Sequence, residues 1–296
     1  SPTSPGTHYR DSASEGEIPE RQHGRVLLQI HQILHLFKDY GVDLEGKSLL
    51  DIGTGNGLIP RLLLEFSSLA EAVGADPYLD GEHQTSWQPH DRDEVLQQIR
   101  ELASRLFDGH LDYDAYEHLL GHEQHSMRPQ QVKLPAQDAK SYRFDQTGAH
   151  EMSKIGQRFD VFYCKAIEHI PDWDGIFRSI RSVAKTDAVV YLKHRSFFSY
   201  LGPHRYSSID MPWGHLLLSE DEYKCYVRKR YPEEADKMIE FYFNGLSHPR
   251  TTVSEMVRLA GGNGFVPLAI ITEPTRYIAQ ILPFIDEVEG FWEIVR

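Results

Sequence analysis

Apolar residues recur every three or four positions from Arg25 to Tyr40, at Leu27, Ile30, Ile33, Leu34 and Phe37. That spacing predicts one buried face of a helix, which Gly41 ends. The pattern then changes. Ser48 to Ile52 is a short, nearly continuous apolar run that breaks into glycines, as a buried parallel strand does. Leu58 to Ala70 returns to helical spacing, and Ala72 to Ala75 reads as a second strand stopped by Asp76-Pro77. Strand, glycine turn, helix and strand together make one βαβ unit.

From Tyr78 to Gln131 the alternation is interrupted. A polar loop, Gly81 to Asp93, precedes two helical patterns, Val95 to Phe107 and Tyr113 to Leu120. This crossover exceeds the usual short connection, so about 79–130 is expected to be a helical insertion. Gln131 to Leu134 is taken as the third strand. Phe159 to Cys164 then reads as a strand, Trp173 to Ala184 as a helix and Ala188 to Lys193 as a strand. An irregular block, Arg195 to His248, holds one helical region, Glu220 to Tyr231. Thr252 to Ala260 reads as a helix, Gly261 to Gly264 as a turn, and Phe265 to Thr272 with Tyr277 to Pro283 as a closing strand pair. Strands alternating with helices predict an α/β fold, doubly wound around a mostly parallel sheet with helices on both faces.

Composition narrows the function classes. The 296 residues are 40% hydrophobic and 25% charged, ordinary for a globular chain. Ser1 to Glu20 is rich in Ser, Pro, Gly and Glu, so 1–22 is expected to be a flexible leader before a single domain, 23–296. No apolar run approaches the roughly 20 residues that cross a bilayer. The two cysteines, Cys164 and Cys225, form no CxxC pair, and a cytoplasmic location is expected. The net charge of −13 disfavours a nucleic-acid partner, because phosphate neutralisation dominates that affinity.

The strongest chemical signal is Leu49-Leu50-Asp51-Ile52-Gly53-Thr54-Gly55-Asn56-Gly57. Glycines let the backbone leave the strand sharply and let a ligand approach without meeting a β-carbon. The following helix N-terminus offers free N–H groups. A dinucleotide fingerprint places its third glycine three positions after the second, where this chain has Leu58. The run Gly53, Gly55, Gly57 with Asp51 before it instead resembles the first motif of the class I S-adenosylmethionine-dependent methyltransferases.

Other features line up with that resemblance. Asp76 ends the second strand, where an acid accepts both hydroxyls of a ribose. Asp138-Ala139 follows the presumed third strand, and in the family a residue there reaches the adenine amine. Phe159-Asp160-Val161 leading to Glu168-His169-Ile170 is similar to the family's corresponding segment. The resemblance covers about two thirds of the chain. Lys185-Thr186-Asp187 stands where the family usually has a proline-glycine turn. It implies a seven-stranded sheet with an antiparallel closing strand, and S-adenosylmethionine as cofactor, leaving as S-adenosylhomocysteine. The implied cofactor-binding residues are Asp51, Gly53, Thr54, Gly55, Gly57, Asp76, Asp138, Ala139 and Lys165. In the family the acid of the first motif lies near the cofactor's ammonium end.

Methyl transfer from a sulfonium is an in-line displacement, to which the protein adds positioning and sometimes a base. Ligands of such sheets collect at the carboxyl ends of the strands, where Lys165, Glu168 and His169 leave the fourth. His169 is read either as a general base, with Glu168 beside it, or as a structural hydrogen bond. The second candidate set is a lid, about 195–250, that begins where the fifth strand ends. His204 and His215 are further candidate bases there, and Arg195, Arg205, Tyr206 and Trp213 are candidates for gripping and walling an acceptor. Its histidines near Asp210 also leave a metal reading open, although their spacing matches no metal motif and no metal is assigned.

The expected function is therefore methylation of a small molecule, anionic acceptors included, with oxygen as the expected acceptor atom and nitrogen, sulfur and carbon open. Two alternatives stand beside it: an NAD(P)-dependent oxidoreductase on a related fold, and a non-catalytic module that keeps the cofactor pocket.

Overall fold

A computed structural model of the chain describes residues 18–78, 91–106, 140–200, 202, 204, 207–245 and 249–272. Helix α1 (Ile18–Asp39) carries the first apolar stripe, with Leu27, Ile30, Ile33 and Phe37 buried. It begins before the expected Arg25, so the boundary of the leader falls inside the helix. Pro19 does not prevent this, because the first turn needs no N–H donor from it.

The chain then forms β1 (Ser48–Ile52), α2 (Leu58–Phe66) and β2 (Glu71–Ala75). Helix α3 (Asp91–Leu106) follows, starting earlier than Val95, and packs Leu96, Ile99, Leu102 and Ala103 into the core shared by α1 and α2. The expected helix Tyr113 to Leu120 lies outside the described residues. β3 (Ser141–Asp145), β4 (Phe159–Cys164), α4 (Trp173–Val183) and β5 (Ala184–Leu192) complete the alternation.

The five described strands run in the order β3-β2-β1-β4-β5, all neighbours parallel. Chain order reverses at β1, which is buried along its whole length. In open α/β sheets, that reversal is where ligands bind. The parallel α/β sheet is as expected, but five strands are described and not seven. Phe265 to Thr272 has no strand pairing, and Tyr277 to Pro283 lies outside the described residues. No antiparallel closing strand is seen among the described residues.

The third strand is a correction. Ser141–Asp145 is the segment paired with β2, and Gln131 to Leu134 lies outside the described residues. This strand is only half-buried, so it lacks an apolar run. Arg143 instead reaches the carboxylates of Asp145 and Glu71, and donates to Gln157. β5 also begins earlier than Ala188. Ala184 pairs with Phe159 before a register shift, and Asp187 takes a left-handed backbone (φ 62°) in the stretch Lys185-Thr186-Asp187.

Asp160 explains part of the fourth-strand motif. Its carboxylate accepts from Ser48 N, Ser48 Oγ and Lys185 Nζ, tying the start of β1 to β4 and β5. Burial pushes this carboxyl up, but those hydrogen bonds outweigh it and hold it below its ordinary value.

The chain divides into two compact units where a single domain was expected. The first holds the sheet, with the described residues up to Ile167 and from Gly175 to Lys193. The second holds Glu168–Asp174 and the chain from His194 onward. It contains α5 (Gly214–Leu217), α6 (Glu220–Arg230), α7 (Ala235–Glu240), a π-helical turn (Phe241–Gly245) and α8 (Val253–Gly262). A capping box starts α6, where Ser219 accepts from Glu222 N and the Glu222 carboxylate returns to Ser219 N. The expected lid is thus a helical body. Its small core is Ile209, Tyr223, Val227, Ala235 and Met238.

Candidate functional site

β1 ends in a turn held to β2 by two N–H groups, Gly53 and Thr54, which both donate to Ala75 O (2.8 and 3.1 Å). Gly53, Gly55 and Gly57 all take positive φ, at 72°, 57° and 71°. Gly57 is constrained twice. Besides its left-handed backbone, a Cβ there would lie 2.1 Å from the Tyr142 hydroxyl. Tyr142 in turn lies beneath the Arg61 guanidinium, 4.7 Å from the ring centroid. Asn56 Oδ1 accepts from Leu58 N (3.1 Å), which starts α2.

Two acids flank this turn. Asp51, fully buried in β1, accepts from Thr54 Oγ1 at 2.7 Å. Burial is the main cause that raises its pKa to about 7. The Thr54 hydrogen bond opposes that rise, Asp76 adds to it, and Lys165 opposes it. Asp76, at the end of β2, accepts from Gly55 N and Tyr78 N, both at 3.0 Å. It therefore braces the middle of the glycine turn from the neighbouring strand.

The next contributions come from β4 and α1. Tyr163 and Lys165 are two residues apart, hence on one face of the strand direction. Gln29 of α1 bridges them, accepting from Lys165 Nζ (3.0 Å) and donating to the Tyr163 hydroxyl. Burial holds Tyr163 well above its ordinary pKa, so it stays a neutral phenol. Asp51, Gly53, Thr54, Gly55, Gly57, Asp76 and Lys165 thus lie in one unit, at or beside the carboxyl ends of β1, β2 and β4.

Asp138 and Ala139 lie outside the described residues and precede β3, so they cannot follow the third strand as expected. β3 ends on Asp145, and Gln146-Thr147 follow it, where Thr147 Oγ1 donates to the Asp145 carboxylate. Gln29, Tyr142 and Tyr163 were not singled out from sequence. Gly74 was the available sign for Tyr142: a glycine inside a strand marks a close approach, and its Cβ would meet the Tyr142 hydroxyl at 2.8 Å.

In the second unit, Glu168 and His169 belong to a short 3-10 turn, Ile167–His169. Glu168 Oε1 lies 4.0 Å from His169 Nε2. The His169 ring stands edge-on to His204 (centroids 5.0 Å), and His204 lies tilted against Phe241 (4.7 Å). His194 stands edge-on to Trp173, with neither ring nitrogen hydrogen-bonded. Burial lowers its pKa to about 4, which keeps it neutral near pH 7.

Two other lid candidates are buried and bound to backbone carbonyls. His215 is buried, its Nε2 is 2.6 Å from Phe197 O, and its ring stands against Phe197. Trp213 is buried, donates from Nε1 to Phe198 O (3.1 Å) and packs on Tyr200. Arg195 is half-buried, while Arg205 and Tyr206 lie outside the described residues. Asp210 does not gather histidines. Its carboxylate accepts from Tyr226 Oη (2.6 Å) and Arg230 Nε (2.9 Å), and among the described residues no three His, Cys, Asp or Glu side chains could hold a metal together.

A family model described as a methyltransferase domain matches residues 20–244. The chain belongs to that methyltransferase family. Membership implies S-adenosylmethionine as the methyl donor. No curated protein matches the chain. Among solved structures it is similar to a putative O-methyltransferase of Nostoc punctiforme, with 14% identity over 86% of this chain and 56% of that one (TM-score 0.39). It is also similar to PKMT2 from Rickettsia typhi, with 11% identity over 81% of this chain and 44% of that one (TM-score 0.37). The chain thus spans about half the length of these structures. Among the described residues no helix is long and apolar enough to cross a membrane.

The residues of this methyltransferase domain fit such a donor. Its methionine end carries an ammonium and its sulfonium a second positive charge, and the turn offers a cradle without β-carbons beside a buried carboxyl. Asp76 tests the other end of the fit. Asp76→Ala is expected to remove hydrogen bonds to a diol, each contributing about 1.5–3 kcal/mol, and to release Gly55. Calorimetric titration with S-adenosylhomocysteine should show the weakening, and unchanged affinity would remove Asp76 from the site.

Proposed function

We propose that this chain transfers a methyl group from S-adenosylmethionine to a small molecule, with oxygen as the acceptor atom. The observation that carries the reading is the left-handed glycine turn between two acids, buried Asp51 at the end of β1 and Asp76 at the end of β2. Asp51 would hold the donor's ammonium and Asp76 its ribose hydroxyls, with Lys165 beside them. The bound donor supplies the electrophilic methyl; the protein positions it, excludes water and manages the acceptor's proton.

His169 is assigned to that proton. Glu168 Oε1 lies 4.0 Å from its Nε2, and His204 packs its edge. A hydroxyl acceptor has a proton to give up, which a histidine base serves directly. The acidic chain, at −13, supports a small molecule over a nucleic acid.

The test is incubation of the purified chain with methyl-labelled donor and a library of hydroxylated small molecules, followed by mass spectrometry of the products. With an acceptor in hand, His169→Ala should slow turnover about a hundredfold while donor affinity stays within about threefold. His204→Ala should act mainly on the acceptor KM. His215→Ala should lower the melting temperature and leave the chemistry near normal. Normal turnover in His169→Ala would remove it as the base.

A further inference from the structure

We propose that Gln29, on the N-terminal helix, is a positioning residue of the donor site, acting through Lys165. The inference rests on the donor-site reading above and adds to it a residue from outside the glycine turn. α1 buries Leu27, Ile30 and Ile33 fully, and with them three polar side chains, His23, Gln29 and His31, of which Gln29 is 9% exposed. A buried amide in such a place must satisfy both its ends. Gln29 does so across one span of β4: its oxygen accepts from Lys165 Nζ at 3.0 Å, and its nitrogen donates to the Tyr163 hydroxyl.

The consequence lies at the other end of the lysine. Tyr163 is fixed on its far side by stacking on Tyr191 (centroids 5.5 Å, planes 16° apart), and Tyr191 meets Phe37 of the same helix. Tyr163 and Gln29 therefore form a rigid anchor, while Lys165 is an exposed residue just past the end of the strand. A lysine has four rotatable carbons and a mobile charge, so a fixed acceptor narrows the positions its ammonium takes. Gln29 holds that ammonium where it acts on Asp51, the buried carboxyl that must be ionised to receive a cation. Burial dominates the charge state of Asp51, and helix packing bears on it through Lys165, which opposes the rise.

The decisive experiment titrates the purified full chain with S-adenosylhomocysteine between pH 5.5 and 8.5. Gln29→Met keeps length and apolar packing but loses both hydrogen bonds. Its affinity should fall about tenfold at pH 7, and the pH at which binding is half-developed should move upward, because Asp51 loses the lysine's support. The loss should shrink at pH 8.5, where Asp51 ionises without help. In a Lys165→Met background, adding Gln29→Met should change neither affinity nor the pH midpoint. Should Gln29→Met fold poorly because the Tyr163 hydroxyl is orphaned, Tyr163→Phe/Gln29→Met removes that hydroxyl and carries the same expectation. A purely structural Gln29 would lower the melting temperature with the pH midpoint unmoved, or act equally with and without Lys165. Either result overturns the inference alone. Failure of the unmodified chain to bind S-adenosylhomocysteine overturns the donor-site reading and the inference with it.

Discussion

Asp51→Asn is expected to stabilise the ligand-free chain at pH 8 while removing most of its affinity for S-adenosylhomocysteine. Burial raises the folded-state pKa of Asp51 to about 7, whereas an unfolded aspartate titrates near 3.9. Between those values the folded chain holds a proton that the unfolded chain has lost. Stability from this group is therefore complete below about pH 4 and falls as pH rises through about 7. That difference corresponds to something on the order of 4 kcal/mol, an upper figure because the site relaxes and hydrates. Asparagine keeps the shape, and Thr54 can still donate to its oxygen, but it never ionises.

The melting temperature of Asp51→Asn should thus match that of the unmodified chain near pH 4 and exceed it by several degrees at pH 8. Ligand binding should run the opposite way. Ionised Asp51 attracts the ammonium, so affinity in the unmodified chain should rise between pH 5.5 and 8, and that rise should vanish in the variant. The lost charge-assisted hydrogen bond is worth about 1.5–3 kcal/mol, a ten- to hundredfold weakening at pH 8. Equal melting temperatures at pH 8, or an unchanged affinity there, would contradict the assignment.

The second large effect concerns Gly57. Gly57→Ala meets a left-handed backbone, which costs about 1–2 kcal/mol, and a Cβ placed 2.1 Å from the Tyr142 hydroxyl. Tyr142 sits in β3 with Arg61 over its ring, so relief requires moving a strand residue and its partner. Together these should cost about 3 kcal/mol or more. Gly55→Ala is the control: it carries the left-handed strain, but nothing lies within 4 Å of its Cβ. Urea denaturation should place Gly57→Ala well below Gly55→Ala, and Tyr142→Phe should recover part of the difference. Equal losses at the two glycines would show that crowding by Tyr142 is unimportant.

The sequence alone determined the elements that bury apolar surface on a regular period. α1, β1, α2, β2, β4 and α4 all follow from such periods, and the glycine turn with Asp51 and Asp76 was readable because it interrupts them. The parallel sheet follows from strands that alternate with helices, whereas the strand order around β1 comes from the folded chain. β3 was misplaced because Tyr142 and Arg143 sit in a half-buried strand and make polar contacts there, which leaves no apolar run to recognise. Only the folded chain brings Gln29 to Lys165 and Tyr163, 136 and 134 positions away. Only it shows that His215, Trp213 and Asp210 are tied into the second unit while His169 meets His204. Local periodicity reports which face of a segment is buried. Which distant side chain satisfies a buried amide, hydroxyl or carboxyl depends on three-dimensional proximity, and no spacing along one chain encodes it.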